Sequence, residues 1–239
     1  MSHVTNPLQA CNDVFFKPGS VFEALKTNNN WSWVPFLIVV IVAVLPNYLY
    51  FSTVDPVWYV DYLINNSPDF ADMSPAEIEG VRDFIPVESL ATWGSLGGIV
   101  GFIIINAIVA VYFNLVTKSD EENLNGFTDW YGAMWWINMP ILIGSLVSIF
   151  MILLSNDGTN QIPVSIVSAT SLAHMLSVDI SSSWFGVLNA FRIETLLSIY
   201  IGAAAIASWT RFSWNKSVLL SALPTIIVYT IWIAITLIN

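Results

Sequence analysis

Long apolar stretches, each close to the length that crosses a bilayer, constrain this chain more than any other feature. Four of them are clear, at residues 33–51, 90–116, 133–154 and 218–238. A transmembrane helix needs about 20 mainly apolar residues. Only 10% of the chain is charged, whereas about a quarter of a soluble domain is. The sequence therefore predicts an all-α membrane protein, because a helix satisfies its own backbone groups in lipid.

A fifth stretch, at 184–209, is apolar but contains Arg192 and Glu194 before it becomes uniformly apolar. We count it as a span because its later half is long and free of charge. The fold class predicted is thus a polytopic transmembrane helix bundle with about five spans.

The positions of the basic residues predict the orientation of the bundle. Short cytoplasmic loops retain Lys and Arg. With five spans and a cytoplasmic N-terminus, most of the basic residues fall on one side. Asn239 is then expected outside. The basic residues on the inner side are Lys17, Lys26, Lys118, Arg211 and Lys216.

Residues 1–32 contain two short amphipathic segments, which we expect to lie at the cytoplasmic interface. Asn6 can cap the first with Pro7 at its first position, and Ser20 with Glu23 can form a capping box for the second. Two interpretations stay open, packing beneath the bundle and docking of a partner. The apolar residues that we assign to this interface are Phe15, Phe22 and Leu25.

Two segments are predicted on the outer side. Residues 155–183 contain an apolar, Ser-rich part at 163–178 that is too short to cross, so we expect an interfacial or re-entrant helix there. His174 lies within it, as a structural residue or a ligand. Residues 53–89 form an acidic insertion, which is a solvated acidic face or a cation site, and Ser74 with Glu77 predicts a capping box there. Its acids are Asp55, Asp61, Asp69, Asp72, Glu77, Glu79, Asp83 and Glu88.

Small residues recur at helical spacing in three spans, where they let helix backbones approach closely. We predict helix packing at these positions, with a substrate path as the alternative. They are Gly94, Gly97, Gly98 and Gly101 in the second span, Gly144 and Ser148 in the third, and Ser198 and Gly202 in the fourth.

Four polar residues lie at membrane depth, where such groups are either paired or functional. Asn106 and Asn114 are expected to hydrogen-bond to neighbouring helices. Glu194 shares a helix face with Ser198, which places its carboxylate toward the packing surface. Arg192 points elsewhere, to the outer headgroups or to an acidic partner. A structural ion pair and a role in solute or proton passage are both open for this set.

Several chemistries have no signature here. The net charge of −10 argues against nucleic acid as a partner, because phosphate contacts need clustered cations. Cys11 is the single cysteine, and His3 and His174 are the only histidines, so no metal site is expected. No nucleotide-binding or nucleophile motif occurs. We therefore expect no catalytic residues and no cofactor.

Two stretches resemble the prokaryotic branch of the Yip domain family, named for Ypt/Rab-interacting proteins. The first is 6–50, and the second is 126–149, with its Phe127 lead-in and Pro140. The motif residues of the first stretch are Asn6-Pro7, Val14-Phe15, Pro18, Val21-Phe22, Leu25, Trp31, Trp33 and Pro35.

This resemblance implies one five-helix membrane domain over 1–239 with a cytoplasmic N-terminus, in the prokaryotic plasma (inner) membrane. Eukaryotic members of the family are associated with Rab GTPases and carry a longer N-terminal region. GTPase binding is therefore not an expectation for this chain.

Two functional hypotheses follow. The leading one is a non-enzymatic integral membrane protein that binds or organises membrane lipids, other membrane proteins or a second copy of itself. The alternative is a transporter or channel for a small solute, ion or lipid, which would use Glu194, Arg192 and Asn106.

Overall fold

The computed structural model of the chain describes residues 4–28, 30–155 and 158–238, with the side chain of Asp83 left out. The described residues are helical apart from turns and one isolated β-bridge. The helices, in chain order, are α1 Pro7–Phe16, α2 Pro18–Leu25, α3 Trp33–Thr53, α4 Pro56–Asn66, α5 Pro75–Phe84, α6 Val87–Thr117, α7 Phe127–Ile137, α8 Ile141–Leu154, α9 Leu172–Met175, α10 Phe185–Ala190, α11 Glu194–Trp209 and α12 Trp214–Ile238.

Among the residues that the structure describes, four helical segments are long and apolar enough to cross a membrane. They are α3, α6, the combined segment Phe127–Leu154, and α12. The polytopic, all-helical fold is thereby confirmed. α11 has 16 residues, about 24 Å at 1.5 Å per residue, which is shorter than the hydrocarbon core of about 30 Å. The count of five spans stays a prediction, as does the placement of Asn239, which lies outside the described residues.

The chain divides into two compact units. The first unit comprises residues 1–41, 100–142 and 194–231, and the second comprises 42–99, 143–193 and 232–239. In the first unit, α11 packs against α2 and α7. Its core is rich in large side chains, with Phe22, Trp130, Trp136, Ile201 and Ile206 all fully buried.

The core of the second unit is built around Tyr50, near the end of α3. Tyr50 is fully buried, packs edge-on against Tyr59 of α4, and donates a hydrogen bond of 2.7 Å from its hydroxyl to the Ile162 carbonyl oxygen. Burial raises the pKa of Tyr59 to about 12, so this phenol stays protonated at neutral pH. α4 and the segment around Ile162 are therefore fixed to one end of α3.

Of the two helix starts predicted near the N-terminus, the first is present and the second is not. The Asn6 side chain accepts a hydrogen bond of 2.8 Å from the Gln9 N–H, with Pro7 at the first position of α1. The expected Ser20–Glu23 capping box is wrong, because α2 begins at Pro18, whose fixed φ suits a first helical position. Ser20 lies inside the helix and donates its hydroxyl to the Lys17 carbonyl oxygen at 2.7 Å.

The segment 163–178 contains two short helical pieces, a 3-10 turn at Val164–Ser168 and α9. Its interfacial or re-entrant placement stays a prediction. Between the two pieces, the Ala169 N–H donates a hydrogen bond of 3.0 Å to the Ser148 hydroxyl of α8. Frequent serines offer the backbone local alternatives to a continuous helix.

Candidate functional site

An apolar cleft of about 420 Å³ lies within the first unit, where α3 and α7 begin. We call it the aromatic cleft. Ile103 of α6 contributes one side, and the rest of the wall comes from the start of α3, the residue before it, and residues 128–135 of α7. Its lining residues are Ser32, Trp33, Phe36, Ile103, Thr128, Tyr131, Gly132 and Trp135.

Edge-to-face ring contacts hold the wall of the cleft together. The ring of Phe36 lies 5.5 Å from that of Trp33 and 4.7 Å from that of Trp135. Tyr131 meets Trp135 at 5.7 Å. Such aromatic pairs favour T-shaped contacts at these separations. Trp33 nevertheless stays 64% exposed, so an apolar surface remains open beside the start of a membrane-spanning helix.

A small polar pocket of about 60 Å³ adjoins the aromatic cleft, and we call it the polar recess. The two share three lining residues, Ser32, Thr128 and Gly132. The other residues that line the recess are Leu25, Lys26, Asn28, Asn125, Asp129 and Trp209. The combined site is thus apolar at one end and polar at the other.

The absence of a side chain at Gly132 keeps the junction open. A Cβ atom at Gly132 would lie 2.9 Å from the Ser32 hydroxyl oxygen. That hydroxyl also accepts a hydrogen bond of 3.1 Å from the Trp136 indole N–H, which holds Ser32 against α7. Gly132 therefore permits the close approach that shapes both the cleft and the recess.

One cation and one anion line the polar recess. Lys26 pairs with Glu23 at 2.9 Å, in an ion pair that is roughly half exposed. Asp129 uses Oδ2 to accept a hydrogen bond of 2.8 Å from the Gly126 N–H, which caps α7. Its Oδ1 has no hydrogen-bond partner within the described part of the chain. The recess can therefore receive a donor without breaking the helix cap.

Three of the predicted polar residues lie in the first unit, namely Asn106, Asn114 and Glu194, and Asn106 has a clear partner. Asn106 is 1% exposed, and its Oδ1 accepts a hydrogen bond of 2.6 Å from Nδ2 of Asn138. Asn138 ends α7 and also donates to the Met134 carbonyl oxygen at 2.9 Å. This pair joins α6 to α7. The Oδ1 atom of Asn114 is buried and has no partner in the described residues.

Glu194 is the first residue of α11 and is 6% exposed. Neither of its carboxylate oxygens has a hydrogen-bond partner among the described residues. A carboxylate at a helix N-terminus gains from the helix dipole, but burial without a partner is costly. Glu194 is thus the most unusual polar group of the first unit.

Arg192 belongs to the second unit, where the predicted fourth span is interrupted. Phe191 is extended and Arg192 forms an isolated β-bridge with Ser171, while the Leu172 N–H donates to the Phe191 carbonyl oxygen at 3.0 Å. The Arg192 guanidinium donates to the Ser168 hydroxyl at 2.9 Å. The sequence showed charged residues in this region, but it did not predict that the helix is interrupted between Ala190 and Glu194.

The small residues differ in their surroundings. A Cβ at Gly202 would collide with the Ser221 hydroxyl oxygen, so α11 and α12 meet closely there. At Gly94 it would lie 3.3 Å from the Asn47 amide, whereas at Gly97, Gly98 and Gly101 it would meet open space. Packing at those three stays a prediction. Gly144 and Ser148 are buried, and Ser198 is partly buried.

The N-terminal interfacial residues lie against the core of the first unit. Phe22 and Leu25 are buried and Phe15 is partly buried. Leu8 and Phe16 of α1 are instead exposed. The stripe of α2 therefore packs on the protein, and α1 retains apolar groups for a membrane surface or another protein.

Three acids of the insertion at 53–89 have local roles in the structure. The Ser74–Glu77 capping box is present and lowers the pKa of Glu77 through its hydrogen bonds to Ser74. Asp55 caps α4, and Asp61 pairs with Arg82. No group of three potential metal ligands occurs among the residues that the structure describes.

His174 lies beside a serine in the second unit, with its Nδ1 3.2 Å from the Ser165 hydroxyl oxygen. Burial lowers the pKa of His174 below its ordinary value. The ring and this hydroxyl are close enough to form a hydrogen bond.

Apart from Leu25, the residues of the cleft and recess were not predicted as site residues. Asp129 and Gly132 precede the predicted third span at 133–154, and Asn138 lies within that span directly after an aromatic run. The available signal was the density of aromatic residues between 127 and 136, which is high for one helix start. Trp and Tyr concentrate where a span meets the headgroup region.

Comparison with known proteins supports the resemblance first noted at 6–50. Residues 12–235 match the Yip1 domain. Neither the comparison with curated proteins nor the comparison with solved structures gave a match. Since the match spans nearly the whole chain and the helices suit a bilayer, this integral membrane protein belongs to the Yip1 domain family.

Proposed function

We propose that this Yip1-family membrane protein is non-enzymatic and binds membrane lipids in the aromatic cleft and polar recess. The observation that carries the proposal is the shared wall of the two cavities, formed by Ser32, Thr128 and Gly132. A lipid has the same division into an apolar chain and a polar headgroup.

The position of the cleft supports this function. Trp33 opens α3 and Thr128 lies in the first turn of α7, and both helices belong to spanning segments. Starts of spans lie near the headgroup level, where aromatic residues are enriched. A volume of about 420 Å³ is within the range of small-molecule sites and suits part of an acyl chain.

The packed N-terminal helices support it further. α2 lies on α11 and supplies Leu25, while Lys26 follows directly, and both residues line the recess. The N-terminal layer thus completes the site. We place the protein in the prokaryotic plasma membrane, with the site facing its cytoplasmic leaflet.

Native mass spectrometry of the detergent-purified protein tests the proposal. We expect a retained phospholipid on the unaltered protein and its loss in Gly132→Leu, because the added side chain fills the junction. Gly97→Leu is the matched control, since a Cβ there meets open space. Thr128→Phe fills the same cleft from an exposed position and serves if Gly132→Leu does not fold. Equal lipid retention in all four proteins would contradict the proposal.

A second candidate function, transport, draws on Glu194. Its buried carboxylate has no partner in the described residues, and the helix is interrupted just before it, as in the broken helices of transporters. Flux measured in proteoliposomes separates the two functions. The lipid-binding function predicts the same background flux for the unaltered protein and Glu194→Gln. A solute flux that Glu194→Gln abolishes would favour transport.

A further inference from the structure

We infer that the lipid held at this site carries a primary ammonium headgroup, as phosphatidylethanolamine does. The inference rests on the proposed function and names its ligand. The ammonium would occupy the polar recess, and one acyl chain would lie in the aromatic cleft.

The hydrogen-bonding groups of the recess favour an ammonium. A primary ammonium has three N–H donors. Three lining residues, Asn28, Asn125 and Asp129, each have a side-chain oxygen without a partner within 4–28, 30–155 and 158–238. The Asn28 amide nitrogen donates to the Ala24 carbonyl oxygen, which leaves its Oδ1 available. Asn125 likewise donates through Nδ2, to Asn123.

The charges of the recess agree with a zwitterion. Asp129 supplies one carboxylate for the ammonium, and Lys26 supplies one cation for the neighbouring phosphate. Glu23 already pairs with Lys26, so the local balance is not positive. A headgroup whose only charge is its phosphate would leave Asp129 without a cation, whereas a headgroup with both charges finds both partners.

The size and lining of the recess argue against choline. About 60 Å³ is roughly the share of two liquid waters at ~30 Å³ each, which suits a small ammonium. Quaternary ammonium groups are recognised by aromatic cages. The recess has one aromatic residue in its lining, Trp209, whose indole N–H donates to the Phe22 carbonyl oxygen at 2.8 Å.

A methylation series tests the inference. The purified protein is equilibrated with equal amounts of dioleoyl phosphatidylethanolamine, its N-methyl and N,N-dimethyl forms, phosphatidylcholine and phosphatidylglycerol. The bound lipids are then counted by native mass spectrometry. We expect about tenfold enrichment of phosphatidylethanolamine over phosphatidylcholine, with a stepwise fall as N–H donors are lost.

Asp129→Asn is the decisive variant, because the asparagine oxygen can still accept the Gly126 N–H and keep the helix cap. We expect it to retain total lipid but lose the enrichment. Asn125→Ala, in the loop before α7, provides a second test by removing another acceptor. Glu77→Gln is the matched control, since it removes a capping carboxylate from a residue that does not line the recess.

The outcomes separate the two proposals. Equal binding of all five lipids, or preference for phosphatidylglycerol, would overturn the headgroup inference and leave lipid binding intact. No retained lipid at all would overturn the proposed function itself. Unchanged enrichment in both Asp129→Asn and Asn125→Ala would show that the recess does not select the headgroup.

Discussion

The indole N–H of Trp209 donates a hydrogen bond of 2.8 Å to the carbonyl oxygen of Phe22, and the two rings pack edge-to-face with centroids 5.9 Å apart. Phe22 lies in the last turn of α2, where carbonyl oxygens have no partner within the helix. Trp209 therefore caps α2 from the end of α11 and fixes the N-terminal layer that contributes Leu25 and Lys26 to the recess.

Trp209→Phe is expected to loosen this layer. The substitution keeps an aromatic ring but removes the donor, at a cost of about 1 kcal/mol in the free energy of unfolding. We expect faster tryptic cleavage after Lys26 in detergent. Trp214→Phe, at a half-exposed tryptophan, is the control and should leave the cleavage rate unchanged. Equal rates for the two variants would contradict the capping role.

The Asn106–Asn138 hydrogen bond predicts a coupled pair. Each single change to Leu should destabilise the protein by about 1–2 kcal/mol, because it leaves the other amide with one partner fewer. The double variant should cost less than the sum, with a coupling energy of about 0.6–1.7 kcal/mol. A double-mutant cycle on unfolding in mixed micelles measures it. Strict additivity would mean that the two amides do not interact.

Gly202→Ala should destabilise the contact between α11 and α12. The new methyl group would collide with the Ser221 hydroxyl oxygen, and overpacking of this kind costs about 1–3 kcal/mol. Ser221→Ala removes that oxygen, while the Ser221 Cβ would remain 3.5 Å away. The double variant should therefore regain most of the lost thermal stability. Failure of this rescue would show that the contact is not the cause.

The loop after α6 is expected to respond to acid. Asp120 Oδ2 accepts a hydrogen bond of 2.6 Å from the Arg211 N–H, and this bond chiefly lowers the pKa of Asp120 below 3.8. A carboxyl with a lowered folded-state pKa stabilises the protein above its unfolded pKa and loses that effect as pH falls through the folded value. Asp120→Asn should thus lower the melting temperature at neutral pH and have little effect near pH 2. A pH-independent difference would contradict this.

The sequence predicted the features that depend on local patterns. Apolar length gave the spanning segments, and the Asn6 and Ser74 caps followed from side chains that satisfy nearby backbone donors. The start of α2 was mispredicted because two signals competed within four residues, and Pro18 prevailed over Ser20. Features that need distant residues were not predictable, since the recess joins Lys26, Asp129 and Trp209 from three parts of the chain.

The interruption of the helix before Glu194 was also not predictable from local sequence patterns. Charge within an apolar run was visible, but the non-helical backbone at 191–193 depends on hydrogen bonds with Thr170 and Leu172. The residues next to 191–193 in the sequence do not indicate that Thr170 and Leu172 will be their hydrogen-bond partners. The five-span prediction counted the whole run as one helix for this reason.

Photocrosslinking with a phospholipid that carries a diazirine in its acyl chain tests the central claim most directly. The protein is irradiated in bilayers, and the labelled peptides are mapped by mass spectrometry. Lipid binding in the aromatic cleft predicts labels on residues 31–36 and 127–135, at positions that Gly132→Leu protects and Gly97→Leu does not. Labels confined to other lipid-exposed helix faces, or unchanged by Gly132→Leu, would contradict it.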